Sequence, residues 1–160
     1  MKYFISIFIT LLFVYNLTAQ EEKTKQKPNI IFIAIDDLKP TIGAFGDEYA
    51  KTPVMDKLAE KSTIFTNNHT QQAICGPTRA SLMTGKRPDY TGVKDLQTKL
   101  RDVNPDIVTI PQYFKENGYT TVGVGKIYDP RCIDKSLDAP SWSIPFVREW
   151  ELTYPKKYGN

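Results

Sequence analysis

The stretch Cys75-Gly76-Pro77-Thr78-Arg79-Ala80-Ser81-Leu82-Met83-Thr84-Gly85 places a cysteine, a proline and an arginine around the start of one predicted helix. Proline is favoured in the first turn of a helix, because its missing N–H would find no intrahelical acceptor there. Glycine is favoured just after the last turn, so we predict a helix from Pro77 to about Thr84. Cys75 then lies just ahead of a helix N-terminus, where unpaired N–H groups favour an anion.

An apolar run upstream of this helix ends in two acids. Residues Asn29 to Ile35 are almost continuously apolar and β-branched, which is typical of a parallel strand covered on both faces. Asp36 and Asp37 follow directly, at the strand end where ligands bind in open α/β sheets. Adjacent carboxylates repel one another, so a divalent cation between them makes physical sense, and oxygen ligands favour calcium or magnesium. Taken alone, most such pairs simply begin a turn.

The remaining elements complete an α/β pattern. Helices are predicted from Pro53, with Val54 and Leu58 facing the core, and from a Thr109 cap to Gly118. Short strands are predicted at 63–66 and 119–124, a polar loop at 67–76, and a long surface loop with at most a short strand or helix at 86–106. Beyond Gly125 the chain is irregular and rich in proline and aromatic residues. The order strand, helix, strand, helix, helix, strand predicts an α/β sheet.

The N-terminus and the charge indicate an exported protein. Residues 1–20 have a basic residue and a short apolar run, as in a signal peptide, and we expect no stable membrane anchor because that run is short for a membrane span. An uncleaved N-terminal anchor would look similar, but no flanking stop-transfer pattern accompanies the run. Residues 21–27 form a polar linker, and residues 28–160 suffice for one domain. We therefore expect a periplasmic or secreted protein. A net charge of +3 is too small and too evenly spread to indicate nucleic-acid binding.

The motif around Cys75 resembles the type I sulfatase signature C-x-P-[ST]-R-x(4)-T-G, which Cys75 to Arg79 and Thr84-Gly85 match. The resemblance implies that a formylglycine-installing enzyme, which reads Pro77 and Arg79, oxidises Cys75 to formylglycine during export. In that family the hydrated aldehyde attacks sulfate esters. The resemblance implies a sulfuric ester hydrolase that acts on a sulfated sugar or polysaccharide.

The same resemblance assigns roles to four further residues. Asp36 and Asp37 correspond to the pair that binds Ca²⁺ (or Mg²⁺), a metal that also contacts residue 75. Arg79 lies one turn after Cys75 and supplies a permanent charge for the nucleophile and a sulfate oxygen. Lys126, in Gly125-Lys126-Ile127-Tyr128, resembles the lysine that binds sulfate and the nucleophile. We therefore expect Cys75, Arg79 and Lys126 to be catalytic, Lys126 also to bind substrate, and Asp36, Asp37 and Cys75 to hold the metal.

Two longer matches indicate the iduronate-2-sulfatase-like branch. They are Thr109 to Tyr119 and Arg87-Pro88-Asp89. The family carries a histidine shortly after the lysine, whereas this chain has Tyr128-Asp129. Asp129 as an acid, Asp129 as a ligand of a sugar hydroxyl, and an altered site all stay open.

The fold that the resemblance implies is the alkaline-phosphatase/sulfatase-like one, a mixed, mostly parallel sheet flanked by helices. Residues 28–160 correspond to its N-terminal part. Family members are several times longer and take their remaining metal ligands from the later half. We therefore expect this stretch to be a truncated catalytic domain that lacks part of the active site.

Other functions remain open from the residues. A phosphonate or phosphate monoester hydrolase of the same superfamily uses similar chemistry, and an inactive carbohydrate-binding remnant is a third class. Cys75 could also be a thiol nucleophile with His69 as its base. In an exported protein, Cys75 and Cys132 would ordinarily form a disulfide. Formylglycine at position 75 would leave Cys132 unpaired or buried.

Overall fold

The structure is a computed structural model that describes residues 26–148, and its contacts divide the chain between Ile33 and Ala34. The predicted signal peptide and most of the linker lie outside the described residues. In the first unit, residues 26–33 have no regular secondary structure, and Ile30 to Ile33 are exposed. Between residues 26 and 148, every helix is too short or too polar to cross a bilayer.

The second unit contains five helices and two strands among its described residues. They are α1 (Pro53–Ala59), α2 (Cys75–Thr84), α3 (Pro88–Thr91), α4 (Leu100–Val103), α5 (Ile110–Glu116), β1 (Val124–Gly125) and β2 (Val147–Arg148). Short 3₁₀ turns lie at Gly43–Phe45 and Ala139–Ser141. The two strands are parallel, and Val124 pairs with Val147. The described part of the chain thus holds helices and a small parallel sheet.

Helix α2 has the ends that the sequence predicts, with one shift. Ile74 is extended (φ −141°) and its carbonyl accepts the N–H of Thr78 at 3.1 Å. Gly85 has φ +66°, a conformation that glycine adopts without strain, and it donates to the Ser81 carbonyl at 2.8 Å. The helix begins at Cys75 rather than Pro77, so Cys75 is its first residue.

Helix α5 confirms the predicted cap. The hydroxyl of Thr109 accepts the N–H of Gln112 at 3.3 Å, which satisfies one of the free donors of the first turn. The chain leaves the helix at Gly118, where φ is +79°.

The strand predictions at 29–35 and 63–66 are wrong for these residues. Neither segment is a strand, and an apolar run becomes one only when a neighbouring segment satisfies its backbone N–H and C=O groups. The predicted strand 119–124 is realised only at its end, in β1. Just before β1, Thr121 and Gly123 still accept backbone bonds from Ser143 (2.9 Å) and Val147 (3.2 Å).

Two predictions about exposure are also wrong. Val54 and Leu58 of α1 are exposed, because hydrophobic periodicity shows which residues share a face but not whether a partner covers it. The predicted surface loop 86–106 contains fully buried Val93 and Thr91 and forms α3 and α4. Its apolar side chains join the core, although the many turn-forming residues in its sequence are typical of an exposed loop.

The irregular tail supplies most of the core. Within residues 26–148, five of the nine buried apolar residues lie beyond Gly125: Tyr128, Cys132, Ile133, Trp142 and Phe146. The rings of Trp142 and Phe146 stack with centroids 5.5 Å apart. Ala80 and Met83 of α2 belong to the same cluster, so the tail packs against the helix that begins at Cys75.

A buried carboxylate fixes the tail. Asp138 accepts a hydrogen bond from Arg101 Nε at 2.7 Å and further bonds from the hydroxyls of Tyr128 and Ser141. Arg101 in turn donates to Gln112 Oε1 at 2.7 Å. Because a buried charge needs a partner and hydrogen bonds, this network joins α4, α5 and the tail.

Candidate active site

A hydroxyl network holds the loop that leads into Cys75. Thr78 in the first turn of α2 donates to the carbonyl of Gln72, and its hydroxyl lies 2.8 Å from that of Thr70. The Gln72 amide donates to the carbonyl of Lys94 at 3.0 Å. The Ser/Thr position of the motif therefore positions the backbone before Cys75. Sequence reasoning assigned this threonine no role, although its place one turn after the loop is the signal for such a bond.

Gly76 allows a close approach behind Cys75. A Cβ atom at this position would lie 2.5 Å from Cys132 Sγ and 2.7 Å from the carbonyl oxygen of Asp95. The Cys132 thiol donates to that same carbonyl at 3.4 Å. Both cysteines are free, so the disulfide alternative is wrong and Cys132 is a buried thiol. Burial raises the pKa of Cys132 to about 11.

Arg79 connects two segments that lie far apart in the sequence. Its guanidinium is almost fully buried, and Nη2 contacts Asp36 Oδ1 at 2.7 Å. Nη1 donates to the carbonyls of Lys126 and Ile127, the latter at 3.3 Å. Since the fork of an arginine is rigid, these bonds fix the turn at Asp36 relative to the segment after β1.

Lys126 follows β1 directly, as predicted, and reaches the same carboxylate. Its ammonium donates to Asp36 Oδ2. The hydrogen bond from Lys126, followed by that from Arg79, lowers the pKa of Asp36, and the same bond to Asp36 raises the pKa of Lys126. Both groups therefore stay charged near neutral pH. Cys75 Sγ lies 4.0 Å from Asp36 Oδ1, so the structure brings Cys75, Arg79, Lys126 and Asp36 together.

Asp37 completes a group with metal-binding chemistry. Donor atoms of Asp36, Asp37 and Cys75 lie within 4.8 Å of one another. Asp37 has φ +51°, so the chain turns at this residue. In an extended chain, the side chains of Asp36 and Asp37 would point to opposite faces. Two carboxylates suit Ca²⁺ or Mg²⁺ and provide part of the six to eight oxygens that calcium takes. The donor set therefore fits part of such a site, although Asp36 also accepts from Arg79 and Lys126.

Asp129 has a partner that sequence reasoning did not foresee. It is fully buried, and its two oxygens accept from Arg131 Nε at 2.9 Å and Nη2 at 2.8 Å. The Arg131 hydrogen bond lowers the pKa of Asp129, which favours the carboxylate over the protonated acid. An acid catalyst needs the opposite, so this geometry does not support that role. The spacing of two residues between opposite charges in a turn is the signal that could have revealed the pair.

His69 does not show the geometry of a base for Cys75. It lies exposed in the polar loop, and its Nε2 is 2.8 Å from Asn67 Oδ1. This local contact favours a solvated histidine over a thiol–histidine pair.

Comparison with known proteins places these features in one family. Residues 28–129 match the family model described as Sulfatase. Iduronate 2-sulfatase of Mus musculus is 44% identical over 129 residues, which are 79% of this chain and 23% of that protein. The Homo sapiens enzyme of the same name is 43% identical over 128 residues, with the same coverage. An ulvan-active sulfatase of Formosa agariphila is 38% identical over 127 residues, again 79% of this chain and 23% of that protein.

The chain thus spans about a quarter of the length of these curated relatives. The matched range contains Asp36, Asp37, Cys75, Arg79 and Lys126. The match to the family model, together with this identity, shows that the chain belongs to the sulfatase family, in its iduronate-2-sulfatase-like branch.

Proposed function

We propose that this protein is a sulfuric ester hydrolase that removes sulfate from a sulfated sugar or polysaccharide. The observation that supports it best is that Cys75 and Arg79 of α2 and Lys126 after β1 converge on Asp36, so that three separate segments meet at one carboxylate. Three of the relatives bear names that point to sulfated sugars, namely an iduronate 2-sulfatase, an ulvan-active sulfatase and an N-acetylglucosamine-6-O-sulfatase, whereas another is named a steryl-sulfatase.

Two groups would complete the chemistry. A formylglycine made from Cys75 would supply the nucleophile, and a Ca²⁺ (or Mg²⁺) held by Asp36, Asp37 and residue 75 would supply a Lewis acid. Residue 75 is well placed for an anionic substrate, because it begins α2, a helix of ten residues whose first N–H groups have no intrahelical acceptor.

Lys126 is proposed to bind a sulfate oxygen. Its side chain is about one-quarter exposed, so the ammonium can contact a substrate while it remains tied to Asp36. Its raised pKa keeps it protonated at neutral pH. The positive charge would offset the negative charge on the sulfuryl oxygens as the ester bond breaks.

Arg79 is proposed to hold the site together and to add a second positive charge. Its guanidinium is only 7% exposed and has acceptors on Asp36 and on two backbone carbonyls. A charge held in this way requires little reorganisation when substrate binds, which is the condition for effective electrostatic stabilisation. The same residue, with Pro77, would be read by the formylglycine-installing enzyme during export to the periplasm or medium, for which residues 1–20 supply the proposed signal.

The experiment begins with the protein secreted by its native host. Peptide mapping across residue 75 tests for formylglycine, and parallel assays with an aryl sulfate and the matching aryl phosphate test the reaction. We expect formylglycine at position 75, sulfate release that a chelator abolishes and Ca²⁺ restores, and little phosphate release. A matched pair of variants is Cys75→Ser, which should abolish sulfate release, and Cys132→Ser, which should retain it.

Two results would contradict the proposal. Unmodified Cys75 together with intact aryl sulfate would exclude formylglycine-dependent hydrolysis. Faster release of phosphate than of sulfate would favour a phosphate monoester hydrolase instead, a reading that the named relatives do not favour.

A further inference from the structure

In the segment Asp129-Pro130-Arg131, a buried carboxylate holds an exposed arginine. The Asp129 side chain is 0% exposed, whereas the Arg131 side chain is 56% exposed. Asp129 accepts from Nε and Nη2 of the guanidinium and also from the backbone N–H of Arg131 at 2.9 Å. These contacts use one edge of the guanidinium and leave Nη1 outside the pair. Arg131 is therefore held in one orientation while part of its donor set faces outward.

This arginine borders the candidate active site. The next residue, Cys132, packs against Gly76, which follows Cys75 directly. On the other side, Pro130 lines the same hollow as Lys126. The hydrogen bond between Asp129 and Arg131 is the main cause of the raised pKa of Arg131 and of the lowered pKa of Asp129, to which the nearby charge of Lys126 makes a smaller contribution.

If Arg131 served only as the counter-ion of Asp129, its side chain would not need to be exposed. A buried carboxylate is stabilised best by a partner that is itself shielded from water, yet more than half of the Arg131 side chain is exposed. Fixing a long arginine in advance lowers the entropy that a ligand must overcome when it binds. An outward-facing guanidinium held in this way is suited to a carboxylate or a sulfate.

We propose that Arg131, held by Asp129, determines specificity by binding a second anionic substituent of the sulfated sugar whose ester group lies at residue 75. The substituent is a carboxylate or a further sulfate. This inference rests on the proposed sulfatase function of the same site, and it adds a recognition group where the family pattern has a histidine close to the lysine.

The test compares three sugars and three proteins. The sugars are methyl glycosides of a hexose monosulfate, a hexuronic acid monosulfate and a hexose disulfate. The proteins are the native protein, Arg131→Gln and the control Lys135→Gln, which removes the same charge from an exposed residue nearby. Titration calorimetry gives the dissociation constants, and ion chromatography gives the sulfate released.

We expect the native protein to bind one of the two dianionic sugars about tenfold more tightly than the monosulfate, as a charge-assisted hydrogen bond provides. The sugar that is preferred identifies the substituent. Arg131→Gln should lose that preference and bind the monosulfate as before, and Lys135→Gln should keep it. If Arg131→Gln fails to fold because Asp129 is left unpaired, the double variant Asp129→Asn/Arg131→Gln removes both charges together and should lose the preference in the same way.

The outcomes separate the two proposals. Sulfate release without any preference for dianionic sugars, or with a preference that survives loss of Arg131, overturns the inference and leaves the sulfatase proposal standing. A preference that depends on Arg131 without sulfate release supports the inference and refutes the hydrolase. Neither binding nor release overturns both.

Discussion

Replacing Asp138 by Asn tests whether the buried network fixes the tail. The substitution removes one negative charge and barely changes the volume of the side chain. Asp138 has φ +56°, a left-handed conformation that Asn tolerates as well as Asp does, so the backbone adds no strain of its own. The change therefore isolates the charge that Arg101 contacts at 2.7 Å.

The expected loss is large because both partners are buried. The side chains of Asp138 and Arg101 are 2% and 10% exposed, and breaking a buried pair costs about 3–5 kcal/mol, since the remaining charge is left without compensation. The amide also turns a donor toward the hydroxyls of Tyr128 and Ser141, which now donate to the carboxylate. With a urea slope of about 2 kcal/mol per M, the midpoint of unfolding should fall by roughly 2 M.

Urea unfolding followed by tryptophan fluorescence measures this loss, since Trp142 lies in the core beside the network. The matched control is Asp89→Asn, the same chemical change in the exposed pair that Asp89 forms with Lys94. Exposed pairs contribute little, so the control should unfold like the native protein. Similar midpoints for the two variants would show that burial does not make the Asp138 charge indispensable.

Three further predictions concern single residues. Gly76→Ala should destabilise the fold by about 1–3 kcal/mol in urea unfolding, and Cys132→Ala should not rescue it, because the backbone oxygen of Asp95 still lies 2.7 Å from the new Cβ; full rescue would contradict this. Because the pKa of Cys132 is raised from 9.0 to about 11, the fold favours the protonated thiol, and that stabilisation is complete below pH 9 and lost as pH rises toward 11. The difference in unfolding midpoint between the native protein and Cys132→Ala should therefore stay constant below pH 9 and change above it. A difference that stays constant up to pH 11 would exclude the effect. Thr109→Ala removes the cap on the N–H of Gln112 and should cost about 1–2 kcal/mol, whereas Thr109→Ser, which keeps the hydroxyl, should cost less; equal losses would argue against the cap.

The helices that the sequence predicts correctly have local signals. Pro77 lies in the first turn of α2 and Gly85 directly follows it, and Thr109 and Gly118 flank α5, because caps and turns depend on a few neighbouring residues. The strands at 29–35 and 63–66 are wrong because pairing depends on a second segment that local sequence does not reveal. Residues 121–123 lie between these two cases. They are not a strand, yet the carbonyls of Thr121 and Gly123 accept the backbone N–H groups of the distant residues Ser143 and Val147.

The candidate site residues can be identified from the sequence, whereas the contacts that support them cannot. Cys75 and Arg79 lie within one helical turn, and Lys126 follows a strand end, so their chemistry is visible in the sequence. The support of the site is not visible, because it depends on contacts between distant residues. Arg101 and Asp138 are 37 positions apart, and Cys132 and Gly76, which are in contact, are still farther apart in the sequence. The metal and catalytic roles of these residues stay predictions that the proposed assays test.

The contact between the tail and α2 has a consequence for the maturation that we propose for Cys75. Pro77 and Arg79 are buried, and Arg79 is covered by the carbonyls of Lys126 and Ile127. The proposed formylglycine-installing enzyme would need both residues accessible, so it would act while the later segment is still being synthesised or has not yet packed. Folding would then close the time window for maturation, and variants that fold faster should carry a larger fraction of unconverted Cys75.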